Sequence, residues 1–450
     1  MAQITLAQAA AWCGGRVEEK YENLVFNGAS NDSRTIQPGQ LFVALQGVRD
    51  GNDFIPLAFE KGAVAVLTSR PNEEYPAIVV EDPRIALGQI AATLRMKIGM
   101  KVVGVTGSVG KSTTKEMVAA VLEGDYIVSK TPANFNNDLG MPMAILAMPE
   151  DTQVAVLEMG MSHFGEISYL SRIAAPDMAV ITNIGTMHME NLGSREGILQ
   201  AKLEILDGMA VDAPIFLYGD DAYLKECHHH LAQNVIYFGT ENPACQVRAV
   251  EVRQQEQLHF AVCAGETPFR VTLPLEGMHY VADALAAISV GLAMNVAPQQ
   301  MAHRLLHFKN ISGRQEIFEA KGVTIINDAY NAGPESMAAA LRVLGNRQGR
   351  RIAILGDMLE LGDCTRDEHY RMGALAAENA DILLTYGPNA SYICAGAREA
   401  GMPEEKACSF LDRGELAGKL IQLCAPGDVL LFKGSRGMRM ELVMQQFLSQ

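Results

Sequence analysis

Val102 to Met117 reads VVGVTGSVGKSTTKEM, and the order of residue types within it decides the architecture. The apolar run Lys101 to Val105 predicts a buried strand, Gly107, Ser108 and Gly110 break it, and Lys111, Ser112 and Thr113 open a helix-compatible run. This is a phosphate cradle. Glycines let successive N–H groups turn toward one anion, the helix N-terminus adds partial positive charge, Lys111 reaches terminal phosphates, and the Ser112 hydroxyl suits Mg²⁺. The nucleotide-contacting set read here is Thr106, Gly107, Ser108, Val109, Gly110, Lys111, Ser112 and Thr113. One position departs from G-x-x-x-x-G-K-[ST]: Val105 stands where the pattern has glycine, and Gly104 comes one place early. The alternative is a glycine-rich strand-to-helix turn with no ligand.

Outward from this stretch, strands and helices alternate from Lys101 to about Ser312, the sign of a parallel sheet covered on both faces. Strand candidates are Val102 to Val105, Val154 to Leu157, Met178 to Thr182, Ile215 to Tyr218 and Val235 to Phe238. Arg248 to Leu273 breaks that rhythm with alternating residues, which predicts an antiparallel hairpin at one edge. The segment before it combines a short helix, Thr5 to Cys13, with brief β runs around SNDSRT (Ser30 to Thr35), a small mixed α/β domain. Ser33 and Arg34 are its candidate anion ligands, against the plainer reading of a solvated arginine. The segment after it repeats the alternation without a glycine loop, giving a Rossmann-like C-terminal domain. The expected domains are residues 1–83, 84–313 and 314–450, all α/β, with the P-loop ATPase domain in the centre.

Composition narrows the function classes. The chain has 450 residues, 48% of them hydrophobic, and a formal net charge of -15. Nucleic-acid binding needs clustered Lys and Arg, and no such block stands out. An anionic substrate then needs a local basic pocket. The eight cysteines form no C-x-x-C pair, which favours reduced thiols over a disulfide framework or zinc site. Met1 to Ala11 lacks the basic start and long apolar run of a signal peptide, and no apolar stretch reaches the ~18 residues of a membrane span. The expected location is the cytoplasm, and the expected state is a monomer acting on small molecules.

Glu158 ends an apolar strand and suits a direct or indirect Mg²⁺ role opposite Ser112, against the reading of a helix-cap carboxylate. His188 follows another strand within TNIGTMH, where a lone histidine is more often structural. Lys202, in the helical run Glu196 to Leu206, reads locally as a solvated helix lysine. The triplet His228 to His230 lacks further ligands beyond Cys227 and reads as a polar helix face. In the last third, Asp328, Asp357 and Lys433 follow strand ends, where ligands collect in open sheets.

Together the runs GVTGSVGKSTTKE (Gly104 to Glu116), NFNNDLGMP (Asn134 to Pro142), LEMGMSHFGEI (Leu157 to Ile167), ITNIGTMHMENLGS (Ile181 to Ser194) and AKLEIL (Ala201 to Leu206) resemble the Mur ligases of peptidoglycan synthesis. Within that family DAYNAGPESM (Asp328 to Met337), LGDMLELG (Leu355 to Gly362) and KGSRGMRME (Lys433 to Glu441) resemble the MurF type. The similarity spans DSRTIQPGQLF (Asp32 to Phe42) to the C-terminus.

The resemblance implies an ATP-dependent amide ligase that joins D-alanyl-D-alanine to UDP-N-acetylmuramoyl-tripeptide through an acyl phosphate. It implies that Ser112 and Glu158 hold one Mg²⁺, and that His188 holds a second with a CO₂-carbamylated Lys202. Lys111, Lys202, His188 and Arg314 become the catalytic set. Arg314 and Asp328 would reach the nucleotide from the third domain, with Tyr330 and Asn331 beside them. Substrate contacts would come from Ser33, Arg34, Asn137, Asp357, Lys433, Ser435 and Arg436. The third residue of the accepted peptide, lysine or diaminopimelate, is open. The chain departs from the family pattern in GMHYVADALAA, where Tyr280 and Asp283 stand at asparagine positions, and at Gly333, which also replaces an asparagine. Asp283 remains the candidate adenine contact, able to accept from the exocyclic amine but not to donate. A sister ligase adding one amino acid and a nucleotide-gated binding module are the alternatives, and the first lacks support because no DNPR-type run occurs.

Overall fold

The structure, a computed structural model, describes residues 2–265 and 267–449. Three α/β domains follow one another, each built on its own sheet. The central sheet has nine strands. Lys101–Thr106 sits between Met178–Ile181 and Val154–Glu158, and Val128–Lys130 closes that edge, all in parallel register. On the other side Pro214–Tyr218 and Asn234–Gly239 continue the parallel order.

The apolar runs are continuous because both faces are covered. Along the strands, neighbours alternate sides: Ala155, Leu157, Ala179 and Ile181 join one core, while Val154, Val156, Met178 and Val180 join the other. Helices Lys111–Leu122 and His279–Ala293 cover the second face. Arg248 to Leu273 forms part of a three-strand addition: Val247–Gln254 touches the parallel sheet briefly, then Leu258–Cys263 and Phe269–Leu273 fold back antiparallel.

Helix Pro83–Ile98 joins the first domain to the second. Asp82 caps it by accepting from Arg84 and Ile85, and Pro83 occupies its first turn, where a missing N–H costs nothing. Its Leu87, Ile90, Ala91 and Leu94 lie in one core with Leu6 and Phe26 of the first domain and Met141 and Ile173 of the second. The first domain itself carries a four-strand parallel sheet, Ala29–Ser30, Leu41–Val43, Ala65–Thr68 and Ala77–Val79.

The C-terminal sheet has six strands. Val323–Asp328, Val429–Lys433, Arg351–Gly356, Ile382–Tyr386 and Ala407–Phe410 run parallel, and Glu316–Ala320 adds an antiparallel edge. Ile352 and Ile354 face one core and Ala353 and Leu355 the other, the period of a strand buried on both sides. No helix among the described residues is long and apolar enough to cross a membrane.

Candidate active site

The loop between Thr106 and Lys111 turns at the C-terminal end of the central sheet. Gly107 has φ 145° and Gly110 φ 88°. A Cβ at Gly107 would stand 1.9 Å from Thr182 Oγ1, and one at Gly110 2.5 Å from Asp283 Oδ1. Both positions need glycine for backbone angle and for room. The departure from the strict motif falls outside the loop: Val105 is a buried strand residue, and Gly104 makes space for Ile205. Asn183 staples the loop from the next strand. Its Oδ1 accepts from Val109 N at 3.0 Å, its Nδ2 donates to Val109 O at 2.9 Å, and its carbonyl accepts from Ser108 N at 3.1 Å.

Ser112 and Glu158 meet at the helix start. Ser112 Oγ donates to Glu158 Oε2 at 2.8 Å, and Asn136 Nδ2 donates to Oε1 at 2.9 Å. Glu158 caps no helix. It is a buried acceptor whose oxygens suit a hard cation. Lys111 Nζ donates to the carbonyls of Gly107 at 2.6 Å and Ser108 at 3.1 Å. Burial pushes its ammonium down to about 8; Glu158 opposes that shift and Arg314 adds to it. An arriving polyanion would favour the charged form further.

These groups floor a cavity of about 820 Å³ whose other wall comes from the C-terminal domain. Arg314 crosses that boundary, donating from Nη2 to Ser112 Oγ at 2.8 Å. Its guanidinium lies over Tyr330, 4.2 Å from the ring centroid, which holds the planar cation in place. Lys433 Nζ donates to Asp328 Oδ2 at 2.5 Å and to Asn331 O at 3.1 Å. Burial raises the Asp328 carboxyl while Lys433 opposes it.

Lys202 is 2% exposed, which overturns its reading as a solvated helix lysine. Burial, together with the nearby Lys111 charge, pushes its ammonium well below the lysine range. An ammonium fits no cation site; a neutral amine that can become an oxygen ligand does. His188 lines the cavity with a left-handed backbone, φ 64°. Its Nδ1 lies 2.6 Å from Glu360 Oε2, yet at an angle that leaves the buried nitrogen without a hydrogen bond.

Asn137 lines the cavity, whereas Ser33, Arg34, Asp357, Ser435 and Arg436 do not. Ser33 is buried, and exposed Arg34 grips Asp32 through Nε at 2.9 Å and Nη2 at 2.7 Å, holding that carboxyl down to about 2. Asp357 is buried, accepts from Asn389 N at 3.2 Å, and keeps Oδ1 unpartnered; burial raises its pKa. Ser435 N donates to Asp357 O at 3.0 Å, and Arg436 N donates to Asn331 Oδ1 at 3.2 Å, tying that loop to the cavity wall. The triplet His228 to His230 straddles the short turn Cys227–His229; the side chain of His228 lies outside the described residues, and His229 and His230 are exposed.

Three Mur ligase family models match in chain order. The family's catalytic domain covers residues 26–95, the middle domain 105–291 and the glutamate ligase domain 313–436. UDP-N-acetylmuramoyl-tripeptide--D-alanyl-D-alanine ligase of Bacillus subtilis is 41% identical over 97% of the chain and 96% of that protein. The chain belongs to the Mur ligase family. The enzyme of the same name from Escherichia coli is 32% identical over 99% and 98%. Among solved structures, MurF from Acinetobacter baumannii superposes with TM-score 0.90 at 32% identity over both whole chains. MurF ligase from Thermotoga maritima in complex with ADP gives 0.82 at 30% identity, over 94% of this chain and 97% of that one.

In this Mur ligase the atypical positions have physical partners. Tyr280 is buried, and its hydroxyl accepts from Asn310 Nδ2 at 2.8 Å. A Cβ at Gly333 would stand 2.7 Å from Met187 Cγ, so the missing side chain leaves room for that loop. Asp283 accepts from Thr114 Oγ1 at 3.0 Å. Burial raises its carboxyl to about 7, against the pull of Thr114 and Arg314. A folded carboxyl pKa above the unfolded one costs stability as pH rises from about 4 to 7, fully so above. Asp283→Asn should therefore stabilise the apo protein more at pH 8 than at pH 5. The difference should be of the order of 2–3 kcal/mol, at about 1.4 kcal/mol per pH unit, read from denaturant midpoints at both pH values. Equal gains at the two pH values would refute it.

Asn136, Asn183, His279, Glu335 and Glu360 belong to this constellation and escaped the sequence reading. Asn183 follows a strand read from sequence, so strand-end position was a usable signal there, whereas Asn136 stands only within a run already noted. Glu335 and Glu360 gave none, because their partners sit in another domain.

Proposed function

We propose that this Mur ligase joins D-alanyl-D-alanine to UDP-N-acetylmuramoyl-tripeptide in the cytoplasm, as a monomer, with cleavage of ATP to ADP and phosphate. The boundaries proposed are 1–83 for the uridine-nucleotide domain, 84–313 for the ATP domain and 314–450 for the dipeptide domain. The observation that carries the reading is the cavity in which Lys111, Ser112 and Glu158 face Arg314, Asp328 and Lys433. Relatives of that name, matched end to end, support the substrate pair.

A carboxylate is a poor electrophile. Its oxygen attacks the γ-phosphorus of ATP, the bond to the β-phosphate oxygen breaks, and an acyl phosphate forms. The neutral amine of the dipeptide then attacks the acyl carbon, phosphate leaves, and the ammonium so formed loses its proton. Positioning and charge neutralisation carry most of the rate. Lys111 and the loop N–H groups hold the β- and γ-phosphates, Arg314 approaches from the C-terminal side, and Asp328 bonds the ribose. Asp283, Tyr330 and Asn331 line the nucleotide's path. Ser112 with Glu158, and His188 with carbamylated Lys202, would hold two Mg²⁺ ions. Bound Mg²⁺ would offset charge on the transferring phosphoryl group. Ser33 and Arg34 take the uridine diphosphate end. Asn137, Asp357, Lys433, Ser435 and Arg436 serve the peptide substrates.

Phosphate release tests the reading. It should require UDP-muramoyl-tripeptide and D-alanyl-D-alanine together. Stimulation by a single free amino acid would replace the assignment with a sister ligase, and turnover indifferent to both acceptors would replace it with a nucleotide switch.

A further inference from the structure

The segment Thr182 to Ser194 leaves the central sheet, carries His188, and leads into helix Arg195–Leu203, which bears Lys202. The C-terminal domain grips it at two points. Glu335 Oε1 accepts from Thr186 N at 3.0 Å and from Thr186 Oγ1 at 3.1 Å. Farther along, Glu360 sets Oε2 2.6 Å from His188 Nδ1, and its carbonyl accepts from Glu190 N at 3.4 Å.

Both members of the second contact have unusual backbones. His188 has φ 64° and Glu360 φ 63°, left-handed angles that few side-chain-bearing residues adopt. Such conformations persist where surrounding structure over-determines them, and they cluster at functional sites. Glycine would fill the Glu360 position at lower conformational cost. A glutamate held there, half-exposed, spends its carboxylate on one histidine across a domain boundary.

We propose that Glu360 is a positioning residue for the metal loop: its carboxylate, delivered from the C-terminal domain, orients the His188 ring through Nδ1 and leaves Nε2 for the cation. Metal-binding histidines regularly present their second nitrogen to a carboxylate, which fixes the ring and its tautomer. The buried His188 Nδ1 makes no hydrogen bond in the structure, and the Glu360 carboxylate 2.6 Å away is placed to take one once the ring turns toward it. The loop is thus set for metal only when the C-terminal domain is seated against it. The inference rests on the reading of His188 as a metal ligand.

Mn²⁺ titration of the full-length protein with ADP present, with the free ion counted by electron paramagnetic resonance, tests it. Native protein should show a bound fraction that His188→Ala removes. Glu360→Gln and Glu360→Gly should each weaken that fraction by about 10-fold or more, within the 10–100-fold range of lost outer partners. Glu360→Gly should melt at or above the native temperature, because glycine accepts the left-handed backbone freely; a metal defect in a protein no less stable separates positioning from a structural role. Native-like titrations for both Glu360 variants, with His188→Ala still defective, overturn the inference alone. A native-like titration for His188→Ala overturns the metal reading beneath it.

Discussion

Lys111→Ala should lower the ligation rate by at least about 10³-fold while the protein still folds. The Lys111 ammonium donates to the carbonyls of Gly107 and Ser108 at the cavity wall, so truncation removes two hydrogen bonds and no apolar core side chain. The loop keeps its shape through Asn183 and the two left-handed glycines. What disappears is a positive charge in a site where Arg314 is a second cation and Glu158 is the near counter-charge. One preorganised charged donor aimed at developing charge is worth ~10²–10³ in rate, and weakened nucleotide binding adds to that. Lys111→Arg should rescue little, because a planar fork cannot sit where a compact ammonium bridges two carbonyls. Steady-state ligation kinetics with calorimetric ATP titration decides it. Turnover within 10-fold of native in Lys111→Ala would place phosphate binding elsewhere.

The parts of this molecule readable from sequence are those whose cause is local. The phosphate loop announced itself because glycine spacing and the strand-to-helix switch lie within one short run. Strands such as Val154–Glu158 and Val429–Lys433 were legible because burial on both faces demands unbroken apolar residues. Val128–Lys130, Glu316–Ala320 and Ala407–Phe410 went unread. They are edge strands, short and partly exposed, and polar residues on their open sides erase the pattern. Lys202 and His188 looked ordinary by position. Helix periodicity leaves Lys202 on a surface, and only the surrounding fold buries it. Family resemblance singled them out where residue chemistry alone did not. Contacts between domains, Arg314 with Ser112 and Glu360 with His188, were beyond any local rule.

Lys202→Met should abolish ligation and raise thermal stability at the same time. The amine is buried, and both its burial and the Lys111 charge depress its pKa. Folding therefore strips a proton from a group that is charged in the unfolded chain. With the folded pKa depressed, this cost is full below the folded pKa, shrinks as pH rises from there, and is gone above the unfolded value near 10.5. Methionine keeps an apolar stem of similar length and escapes that cost, so the melting temperature should rise. A residue kept at the expense of stability is expected at a working site. The neutral amine has a lone pair to spend. Its Nζ can attack the carbon of CO₂, one C=O pair moves to oxygen, the nitrogen loses a proton, and a carbamate replaces a would-be cation with two oxygen donors. Native protein prepared without CO₂ should then lose activity and regain it with bicarbonate, while Lys202→Met and Lys202→Arg respond to neither. Intact activity in Lys202→Met, or a native enzyme indifferent to bicarbonate, would leave the buried amine without the chemistry assigned to it.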